Sequence, residues 1–147
     1  MVSSKSSISI KNRLKDVYDI ATTYPRFVRF FNKKVVLIST ESFLSVKVGM
    51  KRFGINFEWS GEGLKIPNQT ISFVQTQGLL KGLKAVWEFK SVDEYTTSVN
   101  IKTDFQVKIP LIGNPVERIL SYYLVENTTR NILAELKIAS EENMVLA

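Results

Sequence analysis

The 147-residue chain contains no cysteine and no histidine. Those two absences exclude disulfides, thiolate nucleophiles, histidine-ligated metal centres and histidine-based catalytic triads together. A chain without thiols also suits a reducing compartment. No uninterrupted apolar run approaches the roughly 20 residues that a membrane-spanning helix needs. Residues 1–7 are polar apart from Met1 and Val2, so they lack the apolar core of a signal peptide. Internal repeats, low-complexity segments and linkers are missing as well. These absences predict one soluble, cytoplasmic domain spanning residues 1–147, with no metal and no cofactor.

Charge is present, but unevenly placed. The net charge is +6, and residues 1–34 carry eight basic side chains against Asp16 and Asp19, while the remainder is balanced. The excess therefore sits on Lys5, Lys11, Arg13, Lys15, Arg26, Arg29, Lys33 and Lys34. Two readings follow: a solvated basic face, or a site for an anionic membrane surface or a ribosome through Arg13, Lys15, Arg26, Arg29, Lys33 and Lys34. No DNA partner is expected.

Periodicity supplies the architecture. Residues 7–10 alternate and predict a first strand. Asn12 then serves as the expected N-cap of a short helix whose Leu14, Val17, Tyr18 and Ala21 form one apolar stripe. Tyr24 and Pro25 end it, and residues 25–31 predict a second short helix. From Val35 onward the period is two. Residues 35–39 and 43–53 predict strands, and in 55–60 the odd positions Ile55, Phe57 and Trp59 point to one covered face. Gly61, Gly63, Pro67 and Asn68 predict the next turn. Ile71, Phe73 and Gln75 continue the inward parity, as do Leu83, Ala85, Trp87 and Phe89, then Val99, Ile101, Thr103, Phe105 and Val107. Asn114, Pro115 and Glu117 mark the start of a long helix over 114–139. About 25 residues make a rod of roughly 37 Å, which needs a broad apolar surface to lie on. The fold class is α+β: a curved antiparallel sheet of six to seven strands wrapped around the C-terminal helix, with two short helices after strand one.

Several local patterns recur in this order: Val17 and Tyr18 with Ile20 and Ala21; Tyr24, Pro25 and Phe27; Gly78 through Gly82; Trp87 and Phe89; and Pro110, Leu111, Ile112 and Gly113 before a long helix. Their succession resembles the START-like helix-grip (SRPBCC) superfamily. Within it the chain resembles the polyketide cyclase/dehydrase and coenzyme-Q-binding group, which also contains the ribosome-association toxin. The resemblance implies a helix-grip fold with a deep apolar cavity between sheet and helix, used by relatives for lipids, isoprenoid quinones, polyketides or hormones. It implies no universal catalytic residue.

The expected cavity lining is Phe57, Trp59, Phe73, Gln75, Trp87 and Phe89 from the sheet, with Thr103 and Phe105 on its last strand. These rings either fill a core or hold the sheet away from the helix and leave a pocket. On the helix, Val116, Ile119, Leu120 and Tyr123 share a face that Ala134 and Ile138 rejoin, with Asn127, Arg130 and Asn131 between them. Polar groups in an apolar wall require partners, so either Asn127 and Arg130 orient a ligand's polar end beside Tyr123 of the cavity lining, or the helix bends or sits at the sheet edge and exposes its middle to solvent. Val125, Ile132 and Leu136 form a second stripe, expected to pack locally or to form a dimer contact. Apolar residues in two connections, Leu79 and Leu80 in one and Ile109, Leu111 and Ile112 in the other, either tuck into the core or gate the cavity. Enzymatic groups are few. Glu58 and Asp104 have outward parity, and only Tyr18, Tyr123 and Arg130 remain as acids or electrostatic groups; no catalytic residue is assigned.

Overall fold

The computed structural model describes residues 2–23, 34–52, 55–78, 81–105 and 114–146. The elements are β1 (Val2–Ile10), α1 (Leu14–Ala21), β2 (Lys34–Ser39), β3 (Phe43–Arg52), β4 (Ile55–Ile66), β5 (Thr70–Gln77), β6 (Lys84–Asp93), β7 (Thr96–Phe105) and α2 (Asn114–Leu146). The strands form one antiparallel sheet in the order β1-β7-β6-β5-β4-β3-β2. Strands β2 to β7 form a meander, and β1 closes the far side by pairing with β7. The sheet remains open, with β1 and β2 as its edges. The expected second short helix over 25–31, and Val107, lie outside the described residues. Among the described residues no helix is long and apolar enough to cross a membrane.

Alternation decides which side of the sheet is covered. Leu44, Val46 and Val48 of β3, Ile71 and Phe73 of β5, Ala85, Trp87 and Phe89 of β6, and Val99, Ile101 and Phe105 of β7 are all buried on one face. Their neighbours Lys47, Ser72, Lys84, Glu88 and Lys102 are exposed. Burying roughly ten aliphatic and aromatic side chains at about 1.5–3 kcal/mol each is the main force holding the helices against this face. On α1 the stripe works as its spacing implies, with Val17, Tyr18 and Ala21 buried.

Four expectations are corrected. β1 begins at Val2 rather than Ser7, because its serine-rich first half is held by main-chain pairing with β7, from Val2 opposite Phe105 to Ile10 opposite Thr97. β4 runs through Gly61 and Gly63 to Ile66 instead of turning there. The turn is made by Pro67 and Asn68, the latter at φ 60°, a left-handed conformation that asparagine tolerates. Asn12 is not the α1 cap; Arg13 holds that position without a side-chain cap bond. Finally, α2 has 33 residues and reaches Leu146, seven beyond the expected end.

The glycines in β4 have a packing cause. A Cβ on Gly61 would lie 2.0 Å from Cζ of Phe73, so the Phe73 ring occupies the space above the Gly61 backbone. Phe73 stands opposite Gly63 on one side and Ala85 on the other. Three small residues thus make room for one large ring laid across the sheet. A register shift between Ser60 and Gly61 adds a residue to β5 at this point and bends the strand.

Candidate functional site

The rings on the concave face fall into two groups. Trp59 and Phe73 meet edge to face at 6.1 Å, and Trp87 stacks on Phe89 at 6.3 Å, with Tyr18 of α1 edge-on to Phe89 at 5.1 Å. In the second group, Tyr18 brings α1 against Phe89. Along a strip of β4, β5 and β6 on this face, Phe73, Leu83, Ala85 and Trp87 are buried while Trp59 and Gln75 are half-buried, as are Val35 and Leu37 on β2. On either side of this strip, Val46 and Val48 on β3 and Val99 and Ile101 on β7 are buried.

α2 meets the sheet at one side. Its close backbone approaches are to β1, α1 and β7, at one side of the sheet. Lys137 Nζ donates to the Ser9 carbonyl at 2.9 Å, and the Lys11 amide donates to Glu141 Oε1 at 3.2 Å. The C-terminal half of α2 therefore runs alongside β1 and covers it, away from Phe73 and Trp59.

In the described C-terminal part of α2 the buried face differs from the expected one. Val125, Thr129, Ile132, Leu133, Leu136 and Ser140 are buried. Ile138 and Ala134 are exposed instead, Arg130 is exposed, and its guanidinium pairs with Glu126 one turn back. Asn127 and Asn131 are half-buried. The stripe Val125, Ile132 and Leu136, expected to form a local or dimer contact, is part of the core. The helix carries apolar residues on two sides, so periodicity alone leaves its rotation open, and packing against β1 selects one side. Arg130 is thereby removed from the expected inner wall.

Of the other expected lining residues, Phe89 and Phe105 are buried in the core and Thr103 is buried on β7, between Ser4 of β1 and Ala85 of β6. Gln75 shares the inward row with Gly61, but its amide donates to the Gln77 carbonyl at 3.3 Å. Phe57 and Tyr123 fall in β4 and α2, and their side chains lie outside the described residues. So do all five residues of the expected gate, Leu79, Leu80, Ile109, Leu111 and Ile112.

Two polar groups on the inner side stand out. Tyr18 is 5% exposed and its hydroxyl has no hydrogen-bond partner among the described residues. Burial, with the neighbouring charge of Asp19 as a smaller cause, raises its pKa, so it remains a neutral donor. Lys65 is half-buried on β4 opposite Ile71, on the inward row, and its ammonium donates to Ser39 Oγ at 2.6 Å. Burial lowers the Lys65 pKa. Sequence reasoning missed Lys65, although its odd position in β4 is the available signal. It also missed the inner row Leu44, Val46 and Val48, which alternation with Ser45 and Lys47 reveals.

Of the basic N-terminal residues, Arg13 stacks over the Tyr95 ring at 5.0 Å and donates to its hydroxyl at 3.3 Å. Lys15 is exposed. Arg26, Arg29 and Lys33, and the Lys34 side chain, lie outside the described residues.

A curved seven-stranded sheet closed on one side by a long terminal helix defines the helix-grip class. Residues 10–128 match the family model for polyketide cyclase / dehydrase and lipid transport, and the chain belongs to that family. Among solved structures it is similar to the ZhuI aromatase/cyclase from Streptomyces sp. R1128, with a TM-score of 0.86 and 13% identity over 97% of this chain and 95% of that one. A protein from Thermus thermophilus matches with a TM-score of 0.82 and 16% identity over 97% and 99%. A START superfamily protein from Mycobacterium smegmatis matches at 0.73 and 13% over 95% and 97%. At such identities the likeness is one of fold. No curated protein matches the sequence.

Proposed function

We propose that this protein binds a hydrophobic small molecule, a lipid, isoprenoid quinone or polyketide-like compound, between the concave sheet and α2. The observation that carries the reading is the strip of large rings on the concave face, Trp59 against Phe73 and Trp87 against Phe89, with half-buried Trp59 and Gln75 at its β4 side. Family membership supports it. So does the position of α2, close to β1 and β7. An apolar ligand losing roughly 400 Å² of surface to such a strip gains on the order of 10 kcal/mol gross, and after association costs a micromolar constant remains. Native mass spectrometry of freshly purified protein tests the reading: a bound mass that organic extraction removes is expected, and a bare chain that also fails to take up added lipids and quinones refutes it.

The family also includes cyclases, and a ring-closing reaction in the same strip is the second reading. Its best group is the Tyr18 hydroxyl, a buried neutral donor, with orientation of the substrate supplying the rest. Arg130, exposed and paired with Glu126, takes no part in it. Turnover of a polyketide-type substrate that falls in Tyr18→Phe while ligand retention is unchanged distinguishes the enzyme from the carrier.

A further inference from the structure

The two edges of the open sheet are treated differently. β1 is covered: α2 lies along it, with Lys137 bonded to the Ser9 carbonyl and Glu141 accepting from the Lys11 amide. β2 pairs with β3 on one side, and among the described residues no element pairs with its other side. An uncovered edge offers a row of free amides and carbonyls, and proteins that remain monomeric usually blunt such edges with charge, proline or a bulge. β2 has none of these within residues 35–39. Its outward side chains are Val36, 58% exposed, and Ile38, 60% exposed, on a face where solvated strands carry polar groups. The apolar surface continues inward from the edge through Phe43 to Leu64, which is 66% exposed and stands opposite Phe43.

We propose that β2 is the contact of a symmetric dimer, in which β2 of two copies of this chain pair antiparallel and join the sheets into one. The argument for a second copy is self-complementarity. In an antiparallel pair, opposed residues point to the same face, so only registers whose residue numbers sum to an even value keep the two convex faces together. Centring the two-fold on Leu37 pairs residues 35–39 with themselves. It sets Val36 of each copy opposite Ile38 of the other, which gives two apolar cross-strand pairs on the convex side, and Leu37 opposite Leu37 on the concave side. The only charge in the strand, Lys34, then falls opposite Thr40 and one position from Glu41 of the other copy, of opposite sign. Centring on Val36 instead would set Lys34 against Ile38 and place a charge beside an apolar side chain. One register therefore satisfies length, face and charge together.

Charge swaps at Val36 and Ile38 test it, because both side chains are exposed and their replacement leaves the core intact. Sedimentation velocity of the full chain from low micromolar to submillimolar concentration should show a monomer–dimer equilibrium. Val36→Lys with Ile38→Lys sets like charges opposite each other and should weaken the dimer at least tenfold, a loss of about 1.4 kcal/mol or more. Val36→Lys with Ile38→Glu sets each Lys opposite a Glu of the other copy and should restore it. Ile138→Asp, at an exposed site on α2, should leave it unchanged. A wild-type chain that stays monomeric throughout overturns the proposal, as does a Lys/Lys variant that dimerises like wild type or a Lys/Glu variant no better than Lys/Lys. A wild-type monomer that instead floats with anionic vesicles through this patch also overturns it and makes a lipid surface the occupant.

Discussion

The side-chain amide of Asn12 donates to the main-chain carbonyl of Ser140 at 2.8 Å, across 128 residues of sequence. Both residues are buried, at 2% and 0% exposure. The same asparagine accepts the Arg13 amide on Oδ1, and its own carbonyl accepts the Thr97 hydroxyl at 2.9 Å. One residue thereby ties the start of α1, the start of β7 and the C-terminal half of α2 together. Asn12→Ala should lower unfolding stability by about 2–4 kcal/mol, since it strands a buried carbonyl and an amide and leaves a small void. Thr97→Val, which removes one hydroxyl at nearly constant volume, should cost about 1 kcal/mol. Urea denaturation midpoints check both, and equal midpoints for the two variants would refute the assigned hierarchy.

Tyr18 buries a hydroxyl that no group receives among the described residues. Removing it relieves a desolvation penalty, so Tyr18→Phe should leave stability unchanged or raise it by up to about 1 kcal/mol, while Tyr18→Ala should cost about 3–5 kcal/mol through loss of the ring against Phe89. The pH dependence has a definite sign. Burial raises the folded-state pKa above the ordinary value of 10.0, so above that pH the unfolded chain loses this proton first and stability falls as pH rises. Thermal melts in alkaline buffer should show a shallower decline for Tyr18→Phe than for wild type.

Gly61 is required by Phe73. A methyl group there meets the ring at 2.0 Å, and the ring is enclosed between Ala85 and Gly63. Gly61→Ala should therefore destabilise the fold by about 1–3 kcal/mol. Adding Phe73→Leu to Gly61→Ala should cost less than Phe73→Leu costs wild type, because in the double variant it also removes the clash. Additive losses in that double-mutant cycle would show that the ring yields freely.

Lys65 is a half-buried ammonium whose pKa is lowered by burial. A base whose folded pKa lies below its unfolded value of 10.5 destabilises the fold while both states are protonated, and the penalty lifts as pH rises from the folded pKa toward the unfolded one. Lys65→Met should accordingly raise the melting temperature at neutral pH, with the gain shrinking in alkaline buffer. A lower melting temperature at neutral pH would mean that the bond to Ser39 outweighs the desolvation.

The strands were legible where alternation is strong. Leu83, Ala85, Trp87 and Phe89 with Lys84, Glu88 and Lys90 between them, and Val99 to Phe105 on β7, have the inward and outward faces that their spacing implies. The rings Trp59, Phe73 and Trp87 were legible for the same reason. The inner face of α2 was not: its apolar residues divide between two stripes, and the pattern set by Val116 to Tyr123 pointed to Ala134 and Ile138, which are exposed. Arg130 was misplaced with them.

What the sequence determined by itself was local: the period-two strands, the amphipathic α1, the start of the long helix, and the absence of histidine and cysteine chemistry. These depend on neighbours a few positions apart, where backbone geometry converts spacing directly into a face. The tertiary structure alone decided that the serines of β1 form a strand against β7, that Gly61 and Gly63 lie within β4 beneath Phe73, that α2 turns Leu136 and Ser140 inward, and that Trp59 meets Phe73 edge to face. Each of those outcomes rests on a partner distant in the chain, and a buried surface or hydrogen bond between distant residues has no periodicity to announce it.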